Sequence, residues 1–129
     1  MKQLKVISIL AISLFCLAFI LPTAPKNCKK FKEGTYYVEE MKGYKIVREG
    51  NNQKEYLNKK EVIDAEVIWL NDCEYNLVVN KTLIKQGMAV GDTANVRIIR
   101  TTRNSYNCLI EPLHRNDLKA AKATFTVLK

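Results

Sequence analysis

The stretch Ile63-Asp64-Ala65-Glu66-Val67-Ile68-Trp69-Leu70-Asn71-Asp72-Cys73-Glu74-Tyr75-Asn76-Leu77-Val78-Val79-Asn80 holds two β-rich runs around a polar turn. If Asn71-Asp72 alone made the turn, Trp69 would face Glu74 and Val67 would face Asn76, mixing apolar and polar side chains on each face. An odd loop, Asn71-Asp72-Cys73, instead sets Trp69 opposite Tyr75, Val67 opposite Leu77 and Ala65 opposite Val79. A slip of one residue turns every side chain over, so burial of one face selects the odd loop. The other face, with Glu66, Ile68, Asn76 and Val78, is mixed.

The same test extends outward. With Arg103-Asn104-Ser105 as a loop, Ile98 meets Ile110, Val96 falls near Pro112, and Arg97 meets Glu111 on the outer face. With Gly50-Asn51-Asn52-Gln53 as a turn, Arg48 faces Glu55 and Ile46 faces Leu57. Short segments rich in Val, Ile, Tyr and Thr, punctuated by Gly and Asn, predict strands at Thr35 to Glu40, Tyr44 to Glu49, Lys54 to Asn58, Ile63 to Leu70, Glu74 to Asn80, Ala94 to Thr102, Tyr106 to Glu111 and Ala123 to Leu128. Only Lys81 to Met88 and Asp117 to Ala121 have room for a helical turn. An antiparallel meander of this kind must hide its apolar face. It does so by closing into a barrel or by packing two sheets. The expected fold is all-β: a single small up-and-down, lipocalin-like barrel, with a flattened β-sandwich as the alternative.

A leader precedes this domain. Lys2 and Lys5 are followed by an apolar run from Val6 to Leu21, the pattern of a secretory signal. Cleavage near Ala24 divides the chain into a signal at 1–24 and a β domain at 25–129. Pro25 is a poor residue after a cut, and Cys16-Leu17-Ala18 is a second candidate. An uncut helix anchoring the protein through residues 6–21 is a further option, although the run is slightly short of the roughly 20 apolar residues that a span needs. Neither Cys16, after Phe15, nor Cys28, after Asn27, fits a lipid-attachment site. The expected location is periplasmic or secreted.

The chain of 129 residues leaves about one small domain beyond the leader. Its net charge of +8 is partly on the leader, and the remaining cations are scattered or in doublets such as Lys29-Lys30 and Lys59-Lys60. Nucleic acid is therefore not an expected partner.

Cys28, Cys73 and Cys108 lie beyond the leader. Export favours a disulfide, and three cysteines allow at most one within the chain. Cys28 precedes the first strand and Cys73 lies in a loop, so the expected bridge joins them, with three free thiols as the alternative. Cys108 alternates with Tyr106 and Ile110 in mid-strand, where a thiol acts as a small hydrophobe.

The sequence offers no catalytic set. His114, the only histidine, sits in a loop-like stretch, and there is no Cys-x-x-Cys, nucleophile elbow or glycine-rich phosphate loop. Glu39 and Glu40 are adjacent and point to opposite faces of a strand. No metal or cofactor is expected. Candidate ligand-binding residues are Arg48 and Glu55, which as an inward pair would grip an anionic head group, with Tyr44 on the same strand face. Trp69 and Tyr75 are core aromatics first and ligand platforms second. Asn80-Lys81-Thr82 matches an N-glycosylation acceptor, and Thr93 in Asp92-Thr93-Ala94 an acidic–threonine O-glycan site.

Cys28-Lys29-Lys30-Phe31-Lys32-Glu33-Gly34-Thr35-Tyr36, Ile46-Val47-Arg48, Gln53-Lys54-Glu55, Ile68-Trp69-Leu70-Asn71-Asp72-Cys73-Glu74-Tyr75-Asn76-Leu77 and Tyr106-Asn107-Cys108 occur in that order. This order resembles a family of small exported bacterial proteins of unassigned function, over roughly Cys28 to Cys108. Its most specific piece is Trp-x-x-Asp-Cys-x-Tyr-x-Leu. Some relatives carry the name of a DNA topoisomerase IV subunit, which the leader, the small size and the lack of an ATP-binding half exclude for this chain. The resemblance implies no catalytic residues, pairs Cys28 with Cys73, and gives weight to Arg48 and Glu55.

These readings converge on an exported, non-catalytic, monomeric barrel that binds a small apolar or amphipathic ligand. The alternative is an envelope protein–protein interaction module with a filled barrel, and a hydrolase built on scattered carboxylates comes third. Interior volume separates the first two: a few hundred cubic ångströms of space favours a ligand.

Overall fold

The computed structural model describes residues 26–128, so the expected signal or anchor helix lies outside the described residues. Eight antiparallel strands follow a 3-10 turn at Lys29–Phe31: β1 (Gly34–Val38), β2 (Tyr44–Glu49), β3 (Asn52–Leu57), β4 (Lys60–Asn71), β5 (Glu74–Thr82), β6 (Thr93–Thr101), β7 (Ser105–Pro112) and β8 (Ala121–Val127). Each strand pairs with its neighbours in sequence, and β8 returns to β1, so the sheet closes as a barrel rather than a flattened sandwich. Closure leaves no unpaired edge. No helix forms at Lys81 to Met88 or Asp117 to Ala121: Lys81 and Thr82 extend β5, Ala121 opens β8, and the rest of each range is a connection between strands.

Alternation decides which side chains enter the barrel. On β2, Tyr44, Ile46 and Arg48 are buried while their neighbours are not, which is the period of two expected for a strand with one wet face. The β4–β5 register is the expected one: Ala65, Val67 and Trp69 stand opposite Val79, Leu77 and Tyr75. Its odd count comes from a bulge between Trp69 and Asn71 above a tight turn. Bulges of this kind bend strands around a barrel.

Two hairpins differ from expectation by a shift of two residues, one full pleat. In β2–β3, Arg48 stands opposite Gln53 and Ile46 opposite Glu55, because the turn is only Gly50-Asn51 and Gly50 adopts φ 58°. In β6–β7, Val96 meets Ile110 and Ile98 meets Cys108, so Arg97 faces Leu109 and makes no cross-strand pair with Glu111. Both shifts leave every residue on its expected face. Turn geometry, not burial, sets the choice. Between β3 and β4, Asn58 and Lys59 both have positive φ, 50° and 72°, as a two-residue primed turn requires.

Connections alternate between the two ends of the barrel. At one end the Lys26 to Glu33 segment lies across the opening. The Cys28–Cys73 bridge ties it to the β4–β5 turn, with Cα atoms 5.2 Å apart. Lys30 Nζ donates to the Arg103 carbonyl at 2.8 Å, the Gly50 amide donates to Glu33 at 3.0 Å, and Lys32 pairs with Asp72 at 2.9 Å. In the 3-10 turn, residues three apart share a face. Cys28 and Phe31 therefore both point inward and are buried.

The bridge closes a sequence separation of 45 residues. In the chain-entropy description that restricts the unfolded chain by about 4 kcal/mol. The double variant Cys28→Ser/Cys73→Ser is expected to lose about 2–4 kcal/mol of unfolding free energy in urea titrations, with unchanged far-ultraviolet circular dichroism.

Candidate functional site

The barrel interior is graded along its axis. From one end to the other, β6 contributes Ala94, Val96 and Ile98; β4 contributes Ala65, Val67 and Trp69; β8 contributes Ala121, Ala123 and Phe125. The antiparallel partners run the opposite way, with Tyr75, Leu77 and Val79 on β5, and Tyr36 and Val38 on β1. Large side chains collect at the end covered by the 3-10 turn, and small ones at the other. An eight-stranded barrel is just wide enough either to be filled by side chains or to hold one small ligand. This barrel does each in one half.

The filled half is organised by Arg48, which is 1% exposed. Its Nε–H donates to Gln53 Oε1 at 3.0 Å, one terminal nitrogen to the Phe31 carbonyl at 2.8 Å, and the other to the Tyr75 and Tyr106 hydroxyls at 2.8 and 2.9 Å. The guanidinium carbon stands 4.6 Å from the Tyr75 ring centroid and 5.4 Å from that of Tyr36. A buried cation is tolerated when its N–H groups are satisfied and aromatic faces surround it. Arginine stays protonated in proteins. Burial alone would lower its affinity for the proton, but the surrounding phenolic oxygens outweigh this and raise its pKa. The Phe31 carbonyl also lies 2.9 Å from the Tyr36 hydroxyl, so two side chains hold the 3-10 turn in place.

The expected Arg48–Glu55 contact is therefore indirect. Gln53 connects the two, accepting from Arg48 and donating through Nε2 to Glu55 Oε2 at 2.8 Å, while the Tyr44 hydroxyl donates to Glu55 Oε1. Burial and the adjacent Glu55 carboxylate push the Tyr44 phenol well above its usual range.

Above this relay, in the half with small residues, lies a cavity of about 360 Å³. Ile46, Ile63, Leu77, Val79, Val96, Ile110 and Phe125 give it apolar walls, and Ala65, Ala94 and Ala123 make the space. Gln53, Glu55 and Tyr44 bring polar atoms to it, and Met41, Met88, Glu40 and Lys122 also line it. A groove of about 740 Å³ on the barrel exterior, beside Tyr37, Lys45, Tyr56 and Leu128, is larger but more open to solvent. Its greater exposure makes the interior cavity the better candidate.

The two long connections at the cavity end are braced by Arg115. It pairs with Asp92 across the loops and with Asp117 at 2.7 Å, and the hydrogen bond from Arg115 holds the Asp117 carboxyl down to about 2.

Of the expected ligand residues, Tyr44 and Glu55 line the cavity. Arg48, Trp69 and Tyr75 do not: they pack in the filled half, with the Trp69 and Tyr75 ring centroids 4.6 Å apart. Gln53 and Tyr106 were not among the expected residues. Strand parity carries the signal for both, since Gln53 shares a face with Glu55, and Tyr106 with Cys108 and Ile110. Asn80 is exposed on β5 rather than in a loop, and Thr93 is half-buried at the start of β6. Among the described residues no group of three or more His, Cys, Asp or Glu side chains is arranged to hold a metal ion. No helix among them is long and apolar enough to cross a membrane. Comparison with family models, curated proteins and solved structures found no match to this chain.

Three outcomes follow from the filled half. Burial holds the phenols of Tyr36 and Tyr75 up to about 12, so both keep their protons more firmly in the folded state than in the unfolded chain. Their contribution to stability is complete below about pH 10, the unfolded value, and is lost as pH rises through about 12. Tyrosinate absorbance and circular dichroism should therefore change together over that alkaline window. Burial likewise pushes the free Cys108 thiol up to about 12. It should resist thiol reagents at neutral pH until denaturant is added. Arg48→Leu takes the Arg48 donor from the Gln53 amide oxygen and two phenols, and one of two donors from the Phe31 carbonyl. It is expected to lower stability by about 3 kcal/mol or more, read by thermal and urea denaturation.

Proposed function

We propose that this protein is an exported, non-catalytic, lipocalin-like barrel that binds one small apolar or amphipathic molecule in the open half of its interior. The observation that carries this reading is the 360 Å³ cavity with apolar walls and a few converging polar groups. A space of that size and character is ordinary for a small-molecule site. It is also unusual as a residue of folding. Close packing is the rule for interiors, and unfilled apolar space weakens a fold. Larger side chains at Ala94 and Ala123 would fill it.

Export rests on the leader pattern at 1–24, and the Cys28–Cys73 bridge is compatible with an oxidising compartment. The resemblance to small exported bacterial proteins points the same way. The rival reading, an interaction module with a filled barrel, draws on the packed half alone.

The test uses the leaderless protein and the neutral fluorophore N-phenyl-1-naphthylamine. Wild type should enhance its fluorescence saturably, with one site per chain. Ala94→Leu/Ala123→Leu, which fills the cavity with apolar volume, should weaken binding by about tenfold or more while keeping or raising the melting temperature. A wild-type protein that leaves the fluorophore dark, or a double variant that binds it equally well, would refute the reading.

A further inference from the structure

Polarity inside the cavity is the reverse of what an inward arginine leads one to expect. Arg48 is screened from the cavity by Gln53, and its N–H groups are engaged by Gln53, Phe31, Tyr75 and Tyr106. The acidic and basic side chains in the lining are Glu55, Glu40 and Lys122. Glu40 and Lys122 are both exposed, and Glu40 Oε1 already accepts the Thr124 amide at 2.7 Å. Glu55 stands deeper, opposite Ile46 on β2 and Ile63 on β4, with apolar walls around it.

A carboxylate offers about four lone-pair sites and donates nothing when ionised. Tyr44 uses one oxygen of Glu55 and Gln53 the other, once each. Both contacts orient the group as an acceptor, and each oxygen keeps capacity for a further donor. A ligand carboxylate or phosphate would meet like charge there. A ligand ammonium would complete the carboxylate's shell with a charge-assisted bond in surroundings shielded from water.

We infer that the cavity selects amphipathic primary amines, seated with the ammonium group inward on Glu55 and the hydrocarbon directed along the apolar wall towards the mouth. This rests on the ligand-binding reading above and adds to it the head-group class and the direction of entry.

The test compares octylamine, octanol and octanoate as competitors for N-phenyl-1-naphthylamine at neutral pH. Octylamine should displace the fluorophore at about tenfold lower concentration than octanol, with octanoate weakest of the three. In Glu55→Gln the amine should lose its advantage over the alcohol. Octanoate competing as well as octylamine in wild type would overturn the inference while leaving the ligand-binding reading intact. Failure of the fluorophore to bind at all would instead remove that reading itself. An amine preference that survives Glu55→Gln but disappears in Glu40→Gln would place the head group at the mouth and overturn the inward orientation.

Discussion

The guanidinium of Arg48 is the group around which this barrel is arranged. It is fully buried and charged, and the nearest acceptors are a backbone carbonyl, an amide oxygen and two phenols rather than a carboxylate. Removing a cation from water carries a penalty of several kcal/mol, which has to be offset locally. Here the offset comes from charge-assisted hydrogen bonds and from the faces of Tyr75 and Tyr36. A lysine has one compact head group and no planar fork, so it would not reach partners on this many sides. The partners lie on the segment before β1 and on β3, β5 and β7. One side chain thus fixes parts of the chain that are far apart in sequence.

That constraint divides the interior. Around the guanidinium the strands must supply large polar-tipped rings, and Tyr36, Tyr75 and Tyr106 do so, with Phe31 closing the end. Away from it no such demand exists. There the inward positions of β4, β6 and β8 shrink to alanine, so the barrel wall encloses space. The buried disulfide reinforces the covered end from within and the Lys32–Asp72 pair from outside, while Arg115 links loops at the open end. The result is a beaker with a rigid base, and Gln53 forms the join between base and cavity. Glu55 faces the cavity because Gln53 occupies the place opposite Arg48.

Strand positions and faces were legible in the sequence because burial of one face of a pleated strand imposes a period of two. Trp69, Val67 and Ala65 found their partners on that ground alone. The two hairpins that shifted did so by an even number of residues, which burial does not penalise. In β2–β3 the decision belonged to Gly50, whose positive φ permits a tighter turn than the four-residue loop read from Gly50 to Gln53. This single difference replaced a direct Arg48–Glu55 pair with a relay, and so changed which charge meets the cavity. The 3-10 turn at Lys29–Phe31 escaped notice because three residues carry no periodicity. Its order comes from Arg48, Tyr36 and the disulfide, all contacts distant along the chain.

The sequence by itself determined an all-β meander, the inward face of each strand and the Cys28–Cys73 pairing favoured by position. These follow from short-range alternation and side-chain size, which any reader of the chain can inspect. Only the tertiary structure decided that the sheet closes, that Arg48 serves the base and not the cavity, and that Glu55 is the carboxyl group deep within the open half. Those outcomes depend on turn geometry and on three-dimensional hydrogen-bond satisfaction. A buried cation takes the partners that fold around it, and a linear pattern does not specify which ones they will be.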